Sequence, residues 1–161
     1  MDLYFLRHGD AGDARAWKGE DSARPLTAAG TEQIKQVASA IAALNLGLDL
    51  VISSPFFRAH QTAEIVVHAL KPAVALTDDD RLAPGFGRHE LSHILRENAD
   101  RKALMLVGHE PDFSATIAAC IGGGRVECGK VGLARVKLKD TKNMSGSLAW
   151  LIPARVLAPG L

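Results

Sequence analysis

Three short clusters combine arginine or histidine with glycine or serine where apolar runs stop: Arg7, His8 and Gly9; Ser53, Ser54, Pro55 and Arg58; Gly108, His109 and Glu110. An arginine guanidinium is a planar fork that matches two oxygens of a phosphoryl group, and two forks with two imidazoles can neutralise such a group without a metal ion. A neutral imidazole can also attack phosphorus and carry the group covalently, which splits one hard displacement into two easier ones. One of the two histidines is therefore a candidate nucleophile, and the chemistry is phosphoryl transfer. Gly9 suits it, because a residue without Cβ lets the chain turn sharply and lets a bulky anion approach the backbone.

Taken singly, each cluster has an ordinary explanation. Arg7-His8-Gly9 is short enough to arise by chance, Arg58 alone reads as a solvated helix-start residue, and His109 alone as a satisfied polar group beside a turn. Their common placement at strand ends is what points to a site. Other features carry less. His89 and His93 stand four apart, the spacing of a metal pair, but lack an evident third ligand and read as a solvated helix face. Gly122–Gly124 follows a helix and lacks the Lys and Ser or Thr of a phosphate loop, so it reads as a flexible turn.

The elements that must position these residues follow from the apolar pattern. Leu3–Leu6 is a strand buried on both faces. Thr27 caps a helix on which Ile34, Val37, Ala38, Ile41 and Leu44 share a face. Leu50–Ile52 is a second strand, Ala59–Leu70 a second helix, Val74–Leu76 a weak third strand, and Leu91, Ile94 and Leu95 mark a short helix. Ala103–Val107 is a fourth strand, followed by a helix over Phe113–Cys120. Alternation from Ala134 to Leu138, with Leu148–Ile152 returning across an Asn143–Gly146 turn, predicts an antiparallel pair. The expected fold is α/β: a three-layer sandwich, a mostly parallel central sheet with helices on both faces and a C-terminal antiparallel strand pair, with residues 1–161 forming a single domain. In such sheets ligands bind outside the carboxyl ends of the strands, where the three clusters fall.

Bulk composition narrows the partners. The 161 residues carry 19 Lys and Arg against 18 Asp and Glu, a formal charge of +1 that supplies no general field for nucleic acid or an anionic membrane. Aromatics are 5% and not interleaved with basic runs, which argues against a stacking platform for single strands. Two cysteines, Cys120 and Cys128, are too few for a disulfide scaffold. The apolar run at the start is cut off by Arg7 and His8, so it does not read as a signal peptide, and no stretch approaches the roughly 20 apolar residues of a membrane span. A cytoplasmic location is expected.

The quoted residues resemble the histidine phosphatase superfamily and, within it, the SixA-type phosphohistidine phosphatases. Leu6, Arg7, His8, Gly9, Asp10 and Ala11 are similar to the family's opening motif. Arg24, Pro25, Leu26 and Thr27 with Gly30 resemble the stretch before its first helix. Ser53, Ser54, Pro55, Arg58, Ala59, Gln61, Thr62 and Ala63 resemble its second arginine motif, and Val107, Gly108, His109, Glu110 and Pro111 its second histidine motif. The resemblance implies that His8 accepts the phosphoryl group, that Arg7, Arg58 and His109 hold it with Gly9 and Glu110 beside the substrate, and that neither metal nor cofactor takes part.

One departure bears on the substrate. Relatives that act on sugar phosphates place a glutamate proton donor after the third strand in a Leu, any residue, Glu pattern, whereas here Leu82 and Ala83 precede Pro84. Asp10, Glu20 and Glu90 stay open as donors. A phosphohistidine leaving group has a reference pKa near ~6.5, so it can arrive protonated and depart as a neutral ring. The expectation is therefore a phosphatase of phosphohistidine on a phosphotransfer protein, with oligomeric state left open. A phosphatase of small phosphomonoesters and a binding module that holds phosphorylated ligands without turnover are the alternatives.

Overall fold

The computed structural model describes residues 1–159. Six strands form one sheet in the order β3-β2-β4-β1-β5-β6. They are β1 (Asp2–Arg7), β2 (Leu50–Ser53), β3 (Leu76–Asp78), β4 (Ala103–Gly108), β5 (Leu133–Asp140) and β6 (Ser145–Ile152). The first four pair in parallel, and β5 and β6 add an antiparallel edge. The helices are α1 (Ala28–Ala43), α2 (Phe57–Ala69), α3 (Arg88–Glu97), α4 (Asp112–Cys120) and a short α5 (Ala154–Leu157). This is the expected sandwich.

Strand alternation divides the core in two. Leu3, Phe5, Leu104 and Leu106 pack with Leu91, Ile94, Phe113 and Ile117 of α3 and α4. Tyr4, Leu6, Met105 and Val107 face the other way, onto Ile34, Val37 and Ile41 of α1 and Ala59, Ala63 and Val66 of α2. Both faces of β1 and β4 are therefore covered, which explains why these strands read as unbroken apolar runs. Thr27 caps α1 as expected, its hydroxyl accepting the Gly30 N–H at 2.9 Å.

Two strand boundaries and one short helix differ from expectation. Pairing with β2 begins at Leu76, so β3 runs two residues later than the apolar signal, into polar Thr77 and Asp78. The β5–β6 ladder continues to Asp140↔Ser145, which lengthens β6 at its polar end. The turn of helix after Pro153 lacks enough residues to show a periodic pattern. Among the described residues no helix is long and apolar enough to cross a membrane.

Candidate active site

Register puts the site together. The parallel ladder between the two central strands ends with Arg7 opposite Gly108, so His8 and His109 emerge side by side, with His8 N–H bonded to Gly108 O at 3.1 Å. Their rings lie 5.1 Å apart between centroids. Next along the sheet, Ser54 leaves β2 with its N–H on Val107 O, and α2 then brings Arg58 back over the strand ends. Arg7, His8, Arg58, His109 and Glu110 thus line one cavity of about 230 Å3 at the carboxyl edge of the sheet, with Arg24, Pro84 and Lys130 among the other residues on its wall.

The tautomer of His8 follows from its neighbours. Nδ1 lies 2.7 Å from Gly9 O, which can only accept, so this nitrogen carries the proton. Nε2 receives the Nε–H of Arg58 at 3.2 Å and must supply the lone pair. The ring is neutral at ordinary pH, because burial pushes its pKa down to about 4, with Arg58, Arg7 and Arg24 repelling the cation against the raising effect of the Gly9 bond. A neutral ring with a free Nε2 lone pair can attack an electrophile without a separate base.

His109 is buried, and its Nε2 lies 2.8 Å from Ser54 Oγ. The Ser54 hydroxyl can donate to Nε2 while its oxygen accepts the Phe56 N–H at 3.3 Å, and in that arrangement the ring proton lies on Nδ1. Burial, followed by the charges of His8 and Arg58, lowers the His109 pKa to about 3. Nδ1 of His109 and Nε of Arg7 are both buried without a partner in the protein. Buried polar atoms are ordinarily satisfied, and two orphaned nitrogens on one cavity wall fit an oxyanion that would complete them.

The arginines are held differently. Arg58 is 4% exposed and spends two nitrogens on Asp21, donating to the backbone oxygen at 2.8 Å and to Oδ2 at 3.1 Å. Arg24 joins from the other side through Nε to Asp21 Oδ1 at 2.9 Å and reaches Ala11 O at 2.8 Å. Burial works to raise the Asp21 pKa, but the two guanidiniums lower it overall and hold the carboxylate ionised. Arg7 donates Nη1 to Cys128 O at 3.1 Å. Asp21 and Lys130 carry no sequence signal, one in a polar stretch and the other in a glycine-rich one. Arg24 and Ser54 stood inside quoted motifs without a role.

Gly9 takes a different part from the expected one. Its N–H donates to Thr62 Oγ1 at 3.1 Å and so is not free for an anion, while its carbonyl accepts His8 Nδ1–H. A Cβ there would meet Ile34 and Leu26 at 3.0 and 3.1 Å, so the missing side chain makes room for α1 instead of a ligand. At Gly30 the approach is closer still, since a Cβ would lie 2.2 Å from Asp10 O.

Of the three carboxylates left open as donors, Asp10 and Glu90 are engaged elsewhere. Asp10 accepts from Lys130 and from Thr27 Oγ1, and hydrogen bonding from Lys130 holds its pKa down. Glu90 caps the start of α3, its Oε2 accepting the Gly87 N–H at 3.0 Å. Glu20 precedes a 3₁₀ turn over Asp21–Ala23 and is exposed. Pro84, which bears no proton to give, lines the cavity itself. His89 lies exposed and His93 half-buried on α3, against Glu90 and Arg96. A larger groove of about 820 Å3 beside α1, α2 and β3, lined by Ile65, Val67 and Val74 among others, contains none of the clustered residues, so chemistry and not volume selects the site.

Comparison with known proteins agrees with this geometry. Residues 3–115 match the model of the histidine phosphatase superfamily, branch 1. The chain is 42% identical over 119 residues to an uncharacterised protein of Picosynechococcus sp., covering 70% of this chain and 68% of that one. It is 39% identical over 67 residues to phosphohistidine phosphatase SixA of Escherichia coli, covering 41% of this chain and 39% of SixA. The structure of a protein histidine phosphatase SixA complexed with tungstate superposes with a TM-score of 0.84 at 25% identity, covering 96% of this chain and 97% of that one. The chain belongs to the histidine phosphatase superfamily and is a phosphatase.

Proposed function

We propose that this phosphatase removes the phosphoryl group from phosphohistidine on a protein, through a covalent intermediate on His8. The observation that carries the reading is the fixed tautomer of His8: Nδ1 is tied to Gly9 O, and Nε2 presents its lone pair beside Arg58. Attack by Nε2 forms a P–N bond while the P–N bond of the substrate breaks, its electron pair returning to the substrate ring. That ring leaves as neutral imidazole if its other nitrogen arrived protonated. Phosphorylated His8 is cationic, and its Nδ1–H stays on the Gly9 carbonyl, which favours the charged form. Water then attacks phosphorus, the P–Nε2 bond breaks with its electrons returning to His8, and the proton from water leaves with phosphate. Arg7, Arg58 and the Nδ1–H of His109 would hold the phosphoryl oxygens throughout. The tungstate on the similar SixA is a tetrahedral oxyanion of comparable charge.

Two features favour a protein-borne phosphohistidine. The cavity is smaller than the ~300–1,000 Å3 of pockets that enclose drug-sized ligands, so it takes the phosphoryl group and leaves the carrier outside. An adjoining groove of about 460 Å3 shares Arg7 and Glu110 with it and gives the carrier somewhere to lie. The second feature is the engagement of Asp10 and Glu90 elsewhere, which an imidazole leaving group tolerates better than an alkoxide. A phosphomonoesterase is the second reading, favoured by Glu110, a carboxyl on the cavity wall. The test is release of phosphate from a phosphohistidine-bearing phosphotransfer domain and from glycerol phosphate, in EDTA, beside His8→Ala. Turnover of the phosphotransfer domain alone, lost in His8→Ala, is expected. Turnover of the ester alone, lost in Glu110→Gln, would establish the second reading.

A further inference from the structure

Lys130 enters the cavity wall from a segment distant in sequence from the other residues there, and the backbone goes to some length to put it there. It sits in a turn closed by Gly132 N–H on Gly129 O at 2.8 Å. The next residue, Val131, has φ +58, where such turns ordinarily have glycine and where a β-branched residue is a true outlier. Strain of this kind persists where the surroundings over-determine it and gathers at functional sites. Here Val131 is wholly buried, and the flanking carbonyls are taken by Arg7: Gly132 O accepts its backbone N–H, and Cys128 O accepts Nη1. The turn is thus bound at both ends to the residue that precedes His8. At its tip Lys130, half exposed, donates to Asp10 Oδ1, while the other oxygen of Asp10 is held by Thr27.

We propose that Lys130 is a further phosphoryl-binding residue, which exchanges Asp10 for a substrate oxygen when the phosphoryl group enters and so adds a cation to those of Arg7 and Arg58. The inference rests on the phosphoryl-binding reading of the cavity. An ammonium on a flexible stem can move between two acceptors as a guanidinium locked in a fork cannot. Asp10 then acts as a competitor that tempers affinity for the dianion and eases release of product.

The test is titration with inorganic phosphate, followed on the ring resonances of His8 and His109, for the wild type, Lys130→Met and Asp10→Asn. At about 0.15 M salt, charges more than ~8 Å apart are largely screened, so a change in net charge alone moves affinity little. Lys130→Met is expected to weaken phosphate binding about tenfold, as for loss of one charge-assisted hydrogen bond. Asp10→Asn keeps the shape of the pair, removes the competitor, and is expected to tighten binding severalfold. If the pair were only a brace between the turn before β5 and the loop after β1, both variants would weaken binding, and that result would overturn the proposal. Equal affinity in the wild type and Lys130→Met would do the same while leaving the site reading intact. Histidine resonances that phosphate does not move would remove the site reading and the proposal together.

Discussion

Gly30→Ala sets helix propensity against packing. In an exposed helix interior this change stabilises by about 1 kcal/mol. In α1 the new Cβ would lie 2.2 Å from the carbonyl oxygen of Asp10, and the atoms must separate by roughly 0.8 Å to reach the 3.0 Å that real contacts respect. The same oxygen accepts the N–H of Thr27 at 2.9 Å, so the helix cap and the loop after His8 cannot part without losing that bond. Overpacking of this kind costs ~1–3 kcal/mol, which outweighs the gain in propensity. For a chain of this length the melting temperature should fall by several degrees, at about 2–4 °C per kcal/mol. His8 is two residues from the displaced carbonyl, and misplacement by ~1 Å can cost about 10²-fold in rate. Thermal unfolding and kcat/KM on a phosphohistidine protein measure both effects. A variant that melts higher than the wild type and turns over normally would refute the close approach of α1 to the loop after His8.

The imidazole of His8, its pKa lowered to about 4 chiefly by burial, should stay in the neutral Nδ1–H form at pH 6 in a ring-nitrogen NMR titration, where an ordinary histidine is mostly charged. The unfolded chain takes up that proton near pH ~6.5, so stability should be complete above that pH and decline as pH falls toward 4, with a shallower decline in His8→Ala. Asp21→Ala frees the Arg58 guanidinium from one of its two bonds to Asp21. Because the Asp21 side chain is 50% exposed, the loss should be about 1 kcal/mol in chemical denaturation, with a larger, roughly tenfold or greater, fall in kcat. Pro84→Glu places an acid on the cavity wall and should raise hydrolysis of glycerol phosphate about tenfold or more over the wild type. An unchanged rate would show that the missing carboxyl is not what limits ester cleavage.

The sheet, and the convergence of the residues of the candidate site, were legible because β1, β2 and β4 are buried on both faces, so each reads as an apolar run whose end is visible, and Arg7, His8, Ser54 and His109 sit at those ends. Arg58 was legible through its place at the start of α2, just after the Ser53–Pro55 stop. Asp21 and Lys130 were not, since each reaches the site from an irregular segment whose path depends on bonds to remote residues, Arg58 in one case and Asp10 in the other. Gly9 was placed correctly in the chain and given the wrong part, because a sequence does not say which neighbour fills the space of an absent Cβ. The boundaries of β3 and β6 shifted because pairing with a neighbour strand, and not side-chain polarity, fixes where an edge strand ends.

The place of β1 between β4 and β5 has a consequence for how the molecule comes into being. Asp2 pairs with Ala103 on one side and Lys137 on the other, so the strand that leads into His8, earliest of the six in the sequence, acquires both neighbours only once the much later β4 and β5 exist. Closing such long loops before any contact rewards them makes this the slow part of assembly. Until β4 arrives, His8 has neither Gly108 beside it nor His109 opposite. Until β5 follows, Arg7 lacks the Gly132 carbonyl that anchors its backbone. An incomplete chain therefore carries the residues of the site without the site, and recovery of phosphatase activity on refolding should report the last step of folding.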